Sequence, residues 1–178
     1  MKPGDHPEFF RFPPPEGRSR ESSIVLTKDG RFFHEGAPVE HPGMKKAFAS
    51  WLSRHPDDGR PILNNGYDWT YLTVEGATRF VASVHGTPGR PERPELILLD
   101  GRELPLAAEA LTCDADGQLW VLLPEGDQAC FTAAAQLELS PWLTEQQGVA
   151  GVQIEGRFSA IGDAGTAASA GPPPKPGS

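Results

Sequence analysis

Apolar residues along the chain fall into short runs separated by turn-forming dipeptides, and that punctuation sets the elements. Ile24-Val25-Leu26 and Arg31-Phe32-Phe33 flank Asp29-Gly30, a dipeptide that tolerates positive φ in a tight connection, so the pair predicts a β-hairpin. Met44, Ala47, Phe48, Trp51 and Leu52 recur at helical spacing while Lys45, Lys46 and Ser50 fall elsewhere. This predicts an amphipathic helix running to Arg54 and stopped by Pro56. Tyr67, Trp69, Tyr71 and Thr73 then alternate with Asp68, Thr70, Leu72 and Val74 as the two faces of a strand would, and Arg79 to His85 predicts another strand.

The Gly/Pro/charge stretch GTPGRPERPE separates two halves. Beyond it, apolar runs flank Asp100-Gly101, Asp116-Gly117 opens DGQLWVLL, and a PEGD turn leads into QACF. Residues 131–139 fit either state: their offset from Asp116-Gly117 echoes that of the first helix from Asp29-Gly30, whereas Gln136 to Leu139 alternate like a strand and Pro141 limits any helix. The expected fold class is α+β, mainly antiparallel β-hairpins with one or two short helices, in two small packed units sharing a weak repeated hairpin-then-helix motif. The expected organisation is a disordered N-terminal tail at 1–21, an α+β unit at 22–89, a β-rich unit at 90–162 and a disordered C-terminal tail at 163–178. Neither tail offers enough apolar surface to offset the entropy of ordering it.

Composition sharpens this picture at two points. Four Trp and nine Phe among 178 residues suffice for a core, while 20 Gly and 19 Pro fit a chain of many turns. The net charge of −8 comes entirely from the second half: residues 1–89 hold eleven acids and eleven bases, residues 90–178 thirteen acids and five bases. That sign repels phosphate backbones and anionic lipid, so neither nucleic acid nor membrane is an expected partner. No run of 18 apolar residues and no apolar leader core is present, which leads to the expectation of a soluble, cytoplasmic protein. Cys113 and Cys130 lack C-x-x-C spacing and are expected to be free thiols.

Candidate chemistry is dispersed. In DGRFFHEGAPVEHPG, extended geometry would put His34 and Glu35 on opposite faces, and His41 lies beyond Pro38; a metal site needs converging ligands, so hairpin edges are the preferred reading. His55-Pro56-Asp57-Asp58-Gly59-Arg60 is the most polar cluster. Placed after a helix, it is accounted for by dipole and turn preferences, while an acid–base role for His55 with paired carboxylates lacks a nucleophile or a substrate cradle. Asn64, Asn65, Tyr67, Asp68 and Trp69 combine amides, a carboxylate and aromatics at the mouth of a strand and form the expected ligand-binding loop. No nucleophile elbow, phosphate loop, metalloprotease helix or dinucleotide fingerprint is present, and no cofactor or metal is implied.

The order DGRFFHEGAPV, then Phe48-Ala49-Ser50-Trp51-Leu52, then Asp58-Gly59-Arg60, then Leu72-Thr73-Val74-Glu75 resembles DUF1285, the bacterial domain-of-unknown-function family twelve-eighty-five. DGQLWVLLPEGDQACF is similar in plan to the hairpin before that family's terminal helix. A second uncharacterised family, forty-five-oh-five, has a comparable plan. The resemblance covers residues 22 to 143 and implies an α+β fold of repeated hairpin motifs with a role in signalling; it carries over no catalytic residue. Pro61 departs from an expected aromatic, and NNGYDW replaces a Thr-Pro-Val type stretch. The leading expectation is a non-catalytic module that binds a small molecule or a protein and regulates. Its rival is a small hydrolase or other enzyme using His55, Asp57, Asp58 and Asp68.

Overall fold

The computed structural model describes residues 1–88 and 93–164. β1 (Val25–Leu26) pairs antiparallel with β2 (Phe32–His34), as the Asp-Gly punctuation requires. Their turn closes through the Thr27 N–H to the Arg31 carbonyl at 2.9 Å and the Gly30 N–H to the Thr27 carbonyl at 3.1 Å. Gly30 sits at φ 84°, and a Cβ there would stand 3.0 Å from Cδ1 of Phe80, so both backbone and packing demand glycine. The same pair of bonds closes the turns at Leu98/Arg102, Asp114/Gln118 and Leu123/Asp127. A second turn, with positive φ at both central residues, occurs at Glu35-Gly36, Gln147-Gly148 and Glu155-Gly156. Glu35 is therefore a turn residue leading from β2 to β3 (Ala37–Pro38).

Helix α1 (Pro42–Trp51) begins with His41 as N-cap, its Nδ1 accepting the Met44 N–H at 3.3 Å, and with Pro42 in the first turn. It ends at Trp51, before the expected Arg54, because Leu52 is extended and opens β4 (Leu52–Arg54). Arg79 compensates this early stop: its guanidinium donates to the carbonyls of Ala49 and Leu52, each at 3.4 Å. β4 pairs with β5 (Pro61–Asn64), which pairs with β6 (Trp69–Tyr71). The alternating run to Thr73 thus divides, and β7 (Thr73–Val74) leaves to lie parallel to β1 in the sheet ordered β3-β2-β1-β7.

The remaining strands are β8 (Phe80–His85), β9 (Glu95–Leu98), β10 (Glu103–Pro105), β11 (Leu111–Cys113), β12 (Leu119–Leu122) and β13 (Gln128–Phe131). Helix α2 (Ala133–Leu139) is followed by β14 (Leu143–Gln146), β15 (Val149–Ile154), β16 (Arg157–Ala160) and β17 (Gly162–Asp163). Residues 133–139 are thereby settled as helix. The Thr132 hydroxyl caps α2 by accepting from Ala135 N–H at 3.2 Å, Glu138 accepts the Val84 N–H at 2.6 Å, and Gln136 accepts the Leu119 N–H at 3.1 Å. The order β11-β12-β13-α2 repeats the order β1-β2-β3-α1, and the α+β class of short hairpins with two short helices holds.

A seven-stranded sheet, β10-β9-β8-β13-β12-β11-β17, joins the halves. Its central pair, β8 and β13, is parallel, with Phe80 opposite Cys130 and Val81 opposite Phe131. Alternation sends Phe80 and Cys130 into a core with Ile24, Leu26, Phe32, Leu52 and Leu63. Val81 and Phe131 enter the larger core with Leu96, Leu111, Leu139, Trp142 and Val152. The expected division at 89/90 therefore runs through a hairpin of one sheet, β8 to β9, and residues 89–92 themselves lie outside the described residues.

The N-terminal residues differ from a disordered tail. Pro3–Asp5 and Phe9–Arg11 form 3-10 turns, and Phe9 is 5 % exposed in a small core with Ile62 and Trp69. Two adjacent phenylalanines supply the apolar area that offsets ordering of this segment. Of the C-terminal tail, β17 takes Asp163 into the sheet beside β11, and residues 165–178 lie outside the described residues. No helix among the described residues is long and apolar enough to cross a membrane.

Candidate functional site

The loop expected to bind ligand is the β5–β6 turn, and its polar groups are largely engaged in forming it. Asn64 Oδ1 accepts the Gly66 N–H at 2.8 Å, while Asn65 Oδ1 accepts those of Tyr67 and Asp68 at 2.8 and 2.9 Å. These are side chains standing in for backbone acceptors in a tight turn. Asp68 Oδ1 accepts from Trp69 N–H at 2.9 Å and from Arg20 at 2.5 Å. Tyr67 is 64 % exposed, whereas Trp69 is buried. Asn65, Asp68 and Trp69 do come together at an open groove of about 170 Å³, floored by Phe48, Trp51 and Leu63.

The Asp/His cluster follows β4 and not a helix, which removes the dipole explanation for His55. Instead His55, 6 % exposed, is packed among Phe10, Trp69 and Tyr71, with ring centroids 5.7, 4.9 and 5.6 Å away. Its Nδ1 accepts the Asp57 N–H at 3.2 Å and Nε2 lies 3.4 Å from the Phe10 carbonyl, so the tautomer carrying hydrogen on Nε2 satisfies both nitrogens. Asp57 bonds Arg11, which holds its carboxyl below the usual range. Burial works to raise the Asp58 carboxyl but is outweighed by the Arg60 N–H, the Tyr71 hydroxyl at 2.7 Å and His55, and the net direction is downward. Desolvation, then that bond to Asp58, push the Tyr71 phenol up to about 12. His55 and Asp58 lie 3.5 Å apart, but Asp68 is held by Arg20, so the rival enzyme's carboxylates are tied into separate pairs.

A further concavity lies where the first half meets the seven-stranded sheet. It is a cleft of about 490 Å³ lined by Arg54 at the end of β4, Glu75 to Thr78 between β7 and β8, Trp120 of β12 and Gln128 of β13. The half-buried Trp120 indole is anchored by its Nε1–H donating to Asp114 Oδ2 at 3.1 Å, a bond that leads the causes holding the Asp114 carboxyl below its usual range. Arg54 donates one Nη1–H to the Gly59 carbonyl at 3.1 Å and keeps its other donors. Among the described residues nothing bonds the side chains of Glu75, Thr78 or Gln128. The sequence carries no local sign of this site. Its residues come from four separated segments, and Trp120 stands in the unbroken run Leu119–Leu123, where no alternation marks a free face.

Among the described residues no cluster of three or more His, Cys, Asp or Glu could hold a metal, and His34, Glu35 and His41 serve strand, turn and cap. Both cysteines are free, and burial pushes the Cys130 thiol up to about 11.

An α+β chain of short hairpins around one shared sheet, with an open cleft at the joint, is the class that the fold and site define. In fold the chain is similar to the crystal structure of a DUF1285 family protein from Silicibacter pomeroyi DSS-3, with a TM-score of 0.57 at 19% identity over 81% of each chain. A DUF1285 family protein from Shewanella baltica OS155 aligns with a TM-score of 0.49 at 14% identity, over 69% of this chain and 94% of that one. No protein-family model and no curated protein matches the chain. The resemblance to DUF1285 read from the turn and apolar patterns is thus met at the level of the fold.

Proposed function

We propose that the chain is a non-catalytic, ligand-binding regulatory module of the cytoplasm, and that its site is the cleft at the joint between the halves. The carrying observation is the conjunction, in about 490 Å³, of an anchored indole with the side chains of Glu75, Thr78 and Gln128, which have no partner among the described residues. A volume of that size suits a small organic ligand. Trp120 supplies a stacking face, the spare donors of Arg54 suit a carboxylate, and the Gln128 amide and Thr78 hydroxyl suit further polar groups. The ligand class that fits is a small planar molecule bearing a carboxylate. Glu75 at the rim disfavours ligands of higher negative charge, in keeping with the acidic second half. Two free thiols accord with a reducing compartment.

The Asn64–Trp69 loop, the site expected from the sequence, is the lesser candidate, since its amide oxygens already close a turn. The enzyme reading loses support for a like reason, because its carboxylates are each paired with arginine or tyrosine.

A thermal-shift screen of metabolite classes tests the proposal, because a ligand that binds only the native state raises Tm. Aromatic and heterocyclic carboxylates are expected to raise Tm of the wild-type chain, and Arg54→Ala or Gln128→Ala to abolish the shift with the ligand-free Tm unchanged. A shift that survives both substitutions and is lost on Asn65→Ala would move the site to the β5–β6 loop.

A further inference from the structure

The outer face of the β4-β5-β6 sheet is an aromatic platform. Trp69 and Tyr71 of β6 meet edge to face at 5.1 Å, His55 stacks beside both, and Ile62 of β5 fills the floor. Three carboxylates stand at its edge: Asp58 bonds Tyr71, Asp68 bonds Arg20, and Asp57, its side chain 45 % exposed, is the one that takes the arginine of the covering segment. An aromatic floor edged by carboxylates is complementary to a segment that presents aromatic rings and arginine.

Such a segment covers it. Phe9 packs on Ile62 and Trp69, Phe10 meets His55 and Trp69, and Arg11 forks onto Asp57 through Nε and Nη2 at 3.3 and 3.2 Å. Its backbone is held to the rest of the chain at a few points: the Gly4 N–H to the Gly66 carbonyl at 2.8 Å, the Phe10 carbonyl at 3.4 Å from His55 Nε2, and the Phe12 and Pro13 carbonyls, which accept from Arg20 at 3.4 and 3.5 Å. It joins no strand ladder, its ion pair to Asp57 is solvent-exposed, and it is connected to β1 through the run Pro13-Pro14-Pro15-Glu16-Gly17, exposed except at the half-buried Pro14. Recognition therefore rests on side chains inserted into a preformed face, the mode by which short linear segments are bound.

We propose that this face is a docking surface for a short aromatic–arginine segment of a partner protein, occupied in the closed state by the chain's own Phe9-Phe10-Arg11. The partner's segment competes with the tethered one, whose effective concentration is about millimolar for a short link. Docking of a partner therefore releases residues 1–12, which become the reporter of binding. The surface is separate from the cleft that Arg54 and Trp120 line.

The test uses a fluorescein-labelled peptide of residues 5–16 and the full chain. Removing the internal competitor with Phe9→Ala/Phe10→Ala is expected to tighten peptide binding at least about tenfold over wild type, because the open fraction rises. An Arg11→Glu peptide is expected to lose binding and to recover it on an Asp57→Arg chain. Hydrogen exchange supplies the second measurement: the wild-type Gly4 amide is expected to exchange at least about tenfold faster than that of Leu63, through local opening. Equal exchange of these two amides, or unfolding of β5 in the double variant, shows an integral part of the core and overturns the proposal. No gain in peptide binding by the folded double variant also overturns it, as does concentration-dependent dimerisation of the wild-type chain by exchange of the segment.

Discussion

Single side chains decide the chemistry this protein displays. Cys130 faces the core beneath Phe80, and burial pushes its thiol up to about 11, so the reactive thiolate is scarce at neutral pH. Cys113, half-buried and also pushed up, is the more accessible. A thiol reagent at pH 8 is expected to modify Cys113 first and Cys130 only after denaturant is added; equal rates in the native state would contradict the burial. Gly30 is a second deciding residue. Gly30→Ala would place an L side chain at φ 84° with its Cβ 3.0 Å from the Phe80 ring. A loss of about 1–3 kcal/mol in urea unfolding is expected, and a smaller loss for Gly36→Ala, which shares the strain of positive φ but whose Cβ meets open space. Residue-level turn chemistry was legible in the sequence because Asx and glycine act through their nearest neighbours, as Asn64, Asn65 and Gly30 do. His55 was not, since its burial is created by Phe10 of the N-terminal segment and by Trp69 and Tyr71 of β6, both distant from it in the sequence.

At the scale of elements, local signals fix starts better than ends. His41-Pro42 caps α1 from within its own sequence, whereas the helix stops at Trp51 because Leu52 is drawn into a strand with Leu63 and Arg79 takes up the freed carbonyls. The choice of helix for residues 133–139 likewise depends on Gln136 and Glu138 bonding strands that the periodicity does not see. The N-terminal segment depends on carboxylates in a way that sets its pH response. Glu21 and Asp57 are held below the usual range first by Arg60 and Arg11, and Asp58 is also lowered on balance. A folded-state pKa below the unfolded value contributes stability above the ordinary carboxylate range, lost as pH falls through the folded pKa. Exchange protection of the Gly4 and Tyr71 amides, which bond Gly66 and Arg20, is therefore expected to fall below about pH 4. That of β12 and β13 is expected to persist. Simultaneous loss in both would show that these ion pairs do not secure the segment.

The whole molecule is organised by β8 and β13. Each contributes to both large cores through opposite faces, so neither half keeps an intact core without the other. Calorimetry is expected to give one transition with equal calorimetric and van't Hoff enthalpies; two resolved transitions would mean independent halves. This parallel pairing joins segments some fifty residues apart, as Phe80 opposite Cys130 shows, and nothing local in either run announces it. The same long-range pairing creates the cleft, which is why the alternating and turn patterns pointed to the β5–β6 loop instead. The most direct measurement of the proposed function is the Trp120 indole N–H resonance, assigned by Trp120→Phe, during titration with the carboxylate that best raises Tm. A saturable shift of that resonance, absent in Arg54→Ala, is the predicted result; a titration that moves the Trp69 resonance and leaves Trp120 unchanged would contradict the account.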